Sequence, residues 1–267
     1  MTRYSFIKST ALGLALVSSL AASPTYSPHK YQQNDWFGEF GGNTSMYVNP
    51  AGIAETDQME LSIGFFQSIS GEASQEYVSF TLPMDYKHTL GFSFFENGAS
   101  IDGGKSYIEN AYMIGYAYNL MQFLAFGVDV SILQIDQFGE NKQLTIGADF
   151  GISWNPIANS RFGFLQVGLA FQNAIAPAVS TEAESSGYSF VLFTADEAYK
   201  IPSNLNLSLF YRGLNRMLEV KAEFSLIDVL HEDSEGGDGM NLEMSFTATY
   251  YLSSHLGVRL RFTTEGY

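Results

Sequence analysis

The run from Lys142 to Asn155 alternates strictly between two kinds of residue. Its even positions are apolar: Leu144, Ile146, Ala148, Phe150, Ile152 and Trp154. Its odd positions are polar or small: Gln143, Thr145, Gly147, Asp149, Gly151 and Ser153. Because a β-strand repeats every two residues, this segment has one apolar face and one polar face. The alternation lasts about 12 residues, whereas a soluble strand averages about 5–6 and a tilted membrane-crossing strand needs about 9–11. The pattern therefore favours a strand that crosses a bilayer.

The same period recurs in eleven segments, which are predicted strands. They cover roughly residues 59–69, 75–84, 86–95, 107–118, 122–135, 142–154, 160–172, 203–212, 216–227, 241–251 and 255–264. The predicted connections alternate between short and long, as periplasmic turns and extracellular loops do in outer-membrane barrels. The chain is therefore predicted to be all-β, a transmembrane antiparallel up-and-down β-barrel of 11–14 strands over residues 59–267. Bacterial barrels close with an even number of strands, so the odd count indicates a missed strand or, in our preferred interpretation, a C-terminally incomplete sequence.

Two segments precede the predicted barrel. Residues 1–23 have the pattern of a secretory signal peptide: Arg3 and Lys8, the apolar run 11–20, and small residues at a cleavage site. The alternative is an uncleaved anchor helix. Residues 24–58 are rich in Pro, Gly and aromatic residues and show no strand period. They are predicted to form a periplasmic or plug-like segment, the alternative being a flexible linker. After cleavage the chain is expected in the cell outer membrane.

Composition agrees with this class of protein. Charged residues make up 15% of the 267 residues, against about 25% in soluble domains. The 22 Phe and 16 Tyr residues suit the aromatic girdles of a barrel. With no Cys, the chain has neither disulfides nor thiolate metal ligands, and a net charge of −15 argues against nucleic acid as a partner.

Charged residues on the polar side of the predicted strands are the candidate lumen-facing groups. They are Asp129, Asp149, Arg212, Glu219, Lys221, Glu223, Glu243, Arg259 and Arg261. Either they brace the lumen through opposite charges, or they form a polar conduit or a docking surface for the plug. The sequence contains no His-x-x-x-His or Glu-x-x-His pair and no Gly-x-Ser-x-Gly elbow. We therefore expect no metal, no cofactor and no enzymatic activity.

The element Asn49-Pro50-Ala51-Gly52 combines three local signals. Pro50 fixes φ and suits the first position of a helix, Asn49 can cap exposed amides, and Gly52 permits a bend. We interpret it as a turn that seats the N-terminal segment in the barrel mouth. A gate for a ligand is the alternative.

Four motifs, in order, resemble the PorV/PorQ family of outer-membrane proteins, relatives of the FadL-type barrels. They are Tyr47–Ala54 before the first strand, Ala148–Pro156, Val167–Asn173, and Ile201-Pro202 followed by the strand Leu205–Tyr211. The resemblance covers about residues 40–264. It implies a fourteen-stranded barrel. Members of the family usually continue beyond the position that matches Tyr267.

The resemblance also implies a function. The family is associated with the type IX secretion system, in which PorV-like barrels receive cargo from the translocon and pass it to a surface-attachment complex. The expected partners are therefore outer-membrane lipid, secretion-system subunits and secreted cargo. FadL-type relatives instead move hydrophobic molecules through the barrel wall, so a channel for hydrophobic or small solutes is the alternative function.

Overall fold

The computed structural model describes thirteen stretches of the chain. They are residues 43–67, 73–101, 105–137, 141–160, 163–175, 178–180, 188–190, 198–201, 203–213, 217–227, 229, 241–253 and 256–264. The predicted signal peptide and residues 24–42 lie outside them. So do most of residues 173–202 and 228–240, which are two of the long connections between the predicted strands.

Every predicted strand segment is a strand. The main strands are β1 (Glu60–Gln67), β2 (Ala73–Pro83), β3 (His88–Ile101), β4 (Lys105–Met121), β5 (Leu124–Gln137), β6 (Asn141–Ser160), β7 (Gly163–Ile175), β11 (Asn204–Gly213), β12 (Leu218–Ile227), β13 (Asn241–Ser253) and β14 (Leu256–Thr264). Three short strands lie between β7 and β11: β8 (Ala178–Ser180), β9 (Tyr188–Phe190) and β10 (Ala198–Lys200). The prediction of an all-β chain is confirmed.

The eleven main strands form one sheet in chain order, each pairing antiparallel with the next. β9 adds a short parallel pairing to β6, and β8 pairs with β10 in a separate two-stranded sheet. The predicted up-and-down meander is confirmed. Among the described residues no pairing joins β1 to β14, so this sheet is not closed. Since direction reverses at every strand, the first and the eleventh run the same way and cannot form an antiparallel pair. A closed barrel stays a prediction.

The two faces of the sheet invert the arrangement of a soluble protein. On β5, Phe126, Val128 and Val130 are 41%, 42% and 51% exposed. The alternate residues Asp129 and Ser131 are 1% and 2% exposed. Large apolar side chains of soluble proteins are mostly buried and charged ones mostly exposed. Here the apolar face is outside and the polar face is inside.

Two 3-10 helices, Asn43–Tyr47 and Pro50–Glu55, pack on the polar face. We call residues 43–55 the 3-10 segment. It contacts mainly β3 to β6, and Met46, Tyr47 and Ile53 are at most 1% exposed. These three side chains belong to the apolar cluster of the interior. None of the helices in the described residues has the length and apolar composition needed to span a membrane.

Candidate functional site

The interface between the 3-10 segment and the polar face is the candidate site, and glycine makes it possible. Gly127 of β5 and Gly151 of β6 lie directly opposite each other. A Cβ at Gly127 would overlap the backbone of Pro50 and Ala51, and one at Gly151 would overlap the side chain of Asn49. The sheet therefore admits the Asn-Pro-Ala turn only because these two positions carry no side chain.

A second pair of glycines receives the preceding helix. Gly91 of β3 and Gly115 of β4 are also directly opposite each other. Met46 lies over both, since a Cβ on either glycine would overlap its thioether end. The Ser93 hydroxyl, 3.8 Å from the Met46 sulfur, borders the same contact. The two glycine pairs lie in adjacent rows, so both 3-10 helices are seated on one small patch.

Asn49 ties the turn to the sheet with both ends of its amide. Its Oδ1 accepts the N–H of Ala51 at 3.0 Å, which caps the second 3-10 helix. Its Nδ2 donates to the carbonyl of Ile152 on β6 at 2.9 Å. The cap is the role that the sequence indicates for this residue, whereas the bond to the sheet could not be foreseen from local sequence.

Three further hydrogen bonds fasten the segment along its length. Gln172 donates to the carbonyl of Tyr47 at 3.0 Å, and Asn119 donates to that of Ala54 at 2.9 Å. The Tyr47 hydroxyl donates to the carbonyl of Phe94 at 3.2 Å. Burial raises the pKa of this hydroxyl, so it remains a donor. Two backbone carbonyls of the segment, those of Tyr47 and Ala54, thereby find partners on the sheet.

Glu55 is the last residue of the segment, and three side-chain donors surround its carboxylate. Its carboxylate accepts hydrogen bonds from Ser153 at 3.3 Å, from Asn155 at 3.1 Å and from Gln166. Burial raises the pKa of Glu55, and the hydrogen bonds and the positive charge of Arg212 only partly offset this. Ionisation of the Glu55 carboxyl group therefore costs more free energy here than it would in water.

Asp129 and Asp149, two of the predicted charges, form a buried cross-strand pair. They lie directly opposite each other on β5 and β6 and are 1% and 6% exposed. Asp149 Oδ1 accepts the N–H of Asn173 at 2.6 Å, at an irregularity of the β6–β7 register. Asn173 has a φ of 51°, in the left-handed region. Both carboxylate oxygens of Asp129 are buried without a hydrogen-bond partner in the described structure.

Four other predicted charges form two ion pairs on the same face. Arg212 Nε donates to Glu219 at 2.7 Å, with the side chains 42% and 20% exposed. We call this the exposed ion pair, and the Tyr251 hydroxyl also donates to Glu219, at 3.0 Å. The second pair, which we call the buried ion pair, is formed by Lys221 and Glu223. Their charged atoms are 3.2 Å apart and their side chains are 11% and 9% exposed. Opposite charges thus pair between neighbouring positions of this face, whereas bracing of a lumen stays a prediction.

The last three predicted charges lie on β13 and β14. Glu243 is half-buried. Arg259 is exposed, and its Nε donates to the Thr249 hydroxyl at 3.1 Å. Arg261 lies opposite Thr247 in the register, and its side chain lies outside the described part of the structure. The structure thus brings only Asp129 and Asp149 to the strands beneath the 3-10 segment and places the other seven on β11 to β14.

Sequence reasoning missed several residues that form the interface. They are Met46, Tyr47, Glu55, Asn119, Gln166 and Gln172. A signal was available in the glycines, which fall in the polar phase of four consecutive strands and so mark a patch with room for another element. The identity of that element could not be inferred from this signal.

Within the described residues, no group of three or more His, Cys, Asp or Glu side chains is placed to hold a metal ion. A comparison of the chain with models of known protein families gave no match, and a comparison with curated proteins gave none either.

Proposed function

We propose that this chain is a non-enzymatic outer-membrane β-barrel protein, with the 3-10 segment acting as a plug in its lumen. The observation that carries the proposal is the inverted sheet, apolar outside and polar inside. A continuous exposed apolar surface of this extent marks a membrane or protein contact, and lipid solvates such a face at no cost. β5 and β6 contain 14 and 20 residues, enough for the about 9–11 that a tilted strand needs to cross the bilayer.

Within this class, we propose a role of the PorV/PorQ type in type IX secretion. The protein would hold or hand over cargo at the cell surface, with secretion-system subunits and cargo as partners. Support comes from the four family-like motifs in their order. The first of them, the Asn49 turn, is also the one that fastens the segment to the sheet. A barrel that only holds or hands over cargo at the cell surface needs no open pore. This agrees with a plug that is held at many points.

The second candidate, a FadL-like channel for hydrophobic solutes, has one observation in its favour. A groove of about 380 Å³ opens on the apolar face across β2 to β5. Its wall includes Val78, Phe92, Phe94, Tyr112 and Ile114. A hydrophobic molecule that enters or leaves through the barrel wall would meet such a groove.

The membrane assignment can be tested with Val130→Arg. Val130 lies in the middle of β5 on the apolar face and is 51% exposed. An Arg at the bilayer midplane of a β-barrel costs about 2–4 kcal/mol, whereas an exposed substitution in a soluble protein usually changes stability by about 0.5 kcal/mol or less. The measurement is the free energy of folding into phospholipid bilayers, with Glu76→Arg, an exposed charged site on β2, as the matched control. If both variants fold with the wild-type free energy, the apolar face does not contact lipid.

The two roles are separated by a second experiment. A strain that lacks the gene should fail to secrete cargo and attach it to the cell surface, and the purified barrel should be electrically silent in planar bilayers. Normal secretion together with reduced uptake of hydrophobic solutes would instead establish the channel.

A further inference from the structure

Four inward positions form one row across the sheet beneath the 3-10 segment. In register order they are Gly91 of β3, Gly115 of β4, Asp129 of β5 and Asp149 of β6. Met46 covers the glycine half of the row. The aspartates form the other half, and they are buried as deeply as the apolar residues around them.

The next row toward the short turns is also covered by the 3-10 segment. Gly127 and Gly151 follow the two aspartates at the next inward position on each strand and lie under the Asn-Pro-Ala turn. Gln172 of β7, beside this patch, donates to the carbonyl of Tyr47 in the segment. The buried carboxyl pair therefore adjoins positions that the segment covers, both along its row and along its strands, and we expect removal of the segment to give water access to it.

The described surroundings of the pair supply little positive charge. Asp149 accepts a hydrogen bond from the N–H of Asn173 on β7, whereas neither carboxylate oxygen of Asp129 has a hydrogen-bond partner there. Two further acids lie on the elements packed here: Glu55 at the end of the segment, and Glu109, buried on the same face of β4. The basic residues Lys105 of β4 and Lys142 of β6 lie at the other end of their strands, where Lys142 is opposite Asp136 in the register.

The cations described on this face are held elsewhere. They belong to the exposed ion pair, the buried ion pair and Arg259 on β14. Like charges directly opposite each other on a sheet are destabilising, and a buried charge without a partner is more so. Two ionised carboxylates in this position would leave the repulsion uncompensated.

We propose that the Asp129–Asp149 pair holds one shared proton when the 3-10 segment is seated, so that seating the segment is linked to proton uptake. A proton needs only the two facing carboxyl groups, which then share a hydrogen bond, as in carboxyl dyads. A calcium ion would need about 6–8 oxygen ligands, and the described residues place no third acidic ligand with the pair.

The linkage fixes the direction of the pH effect. When the segment leaves, water solvates both carboxylates and the shared proton is released. Low pH therefore favours the seated segment, and rising pH favours its release, by up to about tenfold per pH unit for one linked proton. Asp129→Asn imitates the protonated pair, because the amide can donate to the remaining carboxylate, and it should remove this dependence.

The test is hydrogen exchange of the full chain in detergent or bilayers as a function of pH. The amide of Gly52 donates to the carbonyl of Asn49, and that of Thr56, the residue after the segment, donates to the carbonyl of Ile53. Both report the seating of the segment after correction for intrinsic exchange rates. All samples carry Glu55→Gln, so that the segment's own carboxyl does not contribute. We expect protection to fall with rising pH in this background and to become pH-independent on adding Asp129→Asn. Adding Glu243→Gln, on the same face of β13, should leave the dependence unchanged.

Infrared spectroscopy with isotope-labelled aspartate provides a second readout, which needs no variant. The chain with both aspartates should show the band of a protonated, buried carboxyl at neutral pH. Absence of that band, or protection that does not respond to pH, would overturn the proposal. So would seating that depends on an added metal cation while both carboxylates stay ionised. None of these results bears on the membrane or secretion assignments.

Discussion

Gly127→Ala should loosen the 3-10 segment more than its size suggests. The added methyl group would overlap backbone atoms of Pro50 and Ala51. These atoms cannot rotate away, because Ala51 is fixed by the Asn49 cap and Pro50 has a restricted φ. The whole turn must therefore move away from the sheet.

The expected magnitude follows from this rigidity. Overpacking a well-filled interior costs about 1–3 kcal/mol, and a rigid backbone neighbour places this contact at the upper end. A loss of about 3 kcal/mol in seating free energy corresponds to roughly a hundredfold weaker seating. Movement of the turn would also lengthen the 2.9 Å bond from Asn49 to Ile152, which adds to the loss.

The assay is again hydrogen exchange of the segment amides, read at one pH. The matched control is Gly98→Ala on β3, where the new Cβ would meet the hydroxyl of Ser74, a side chain that can rotate. The control should retain wild-type protection, and Gly127→Ala should lose about two orders of magnitude. Equal protection in the two variants would show that the segment does not lie on Gly127.

Three other substitutions test separate parts of the site. Asn49→Asp should weaken seating by about 1–3 kcal/mol although it keeps the cap, because a carboxylate oxygen would replace the donor that faces the Ile152 carbonyl; segment protection equal to wild type would contradict this. The N–H of Lys87, at 2.7 Å, holds the pKa of Asp85 below its ordinary value, so this bond stabilises the β2–β3 turn at neutral pH. That stability is lost as pH falls through the lowered pKa, and Asp85→Ala should abolish the pH dependence of exchange in this turn. Lys221→Met should lower the free energy of unfolding in denaturant by about 3 kcal/mol, because it leaves a buried carboxylate without its partner. Arg212→Met, in the exposed ion pair, should lower it by about 1 kcal/mol or less. Equal losses in the two variants would refute this distinction.

The strands were predictable because their period is local. Each of the eleven segments carries its own alternation, and turns separate them, so neither neighbours nor partners were needed to find them. The order of the sheet also followed, since consecutive strands of a meander pair with each other whether the connection is short or long. Closure was not predictable in this way, because it depends on two strands that are far apart in the chain.

The site was predictable only in part, for a different physical reason. The cap formed by Asn49 depends on a bond to a residue two positions away, and the sequence indicates it. The bonds from Asn49 to Ile152 and from Gln172 to Tyr47 join residues more than 100 positions apart. Such contacts follow from the register of several strands together, and no local pattern contains that information.

The register of β5 against β6 is specified from both faces of the sheet. A slip of one residue would turn the exposed apolar set inward and every polar residue outward. A slip of two residues would preserve that alternation, so the apolar face alone cannot exclude it. It would, however, separate Gly127 from Gly151 and place a carboxyl group opposite one of the glycines, beneath the Asn-Pro-Ala turn. The 3-10 segment therefore selects among registers that the apolar face leaves equivalent, and Gly127→Ala should weaken that selection together with seating.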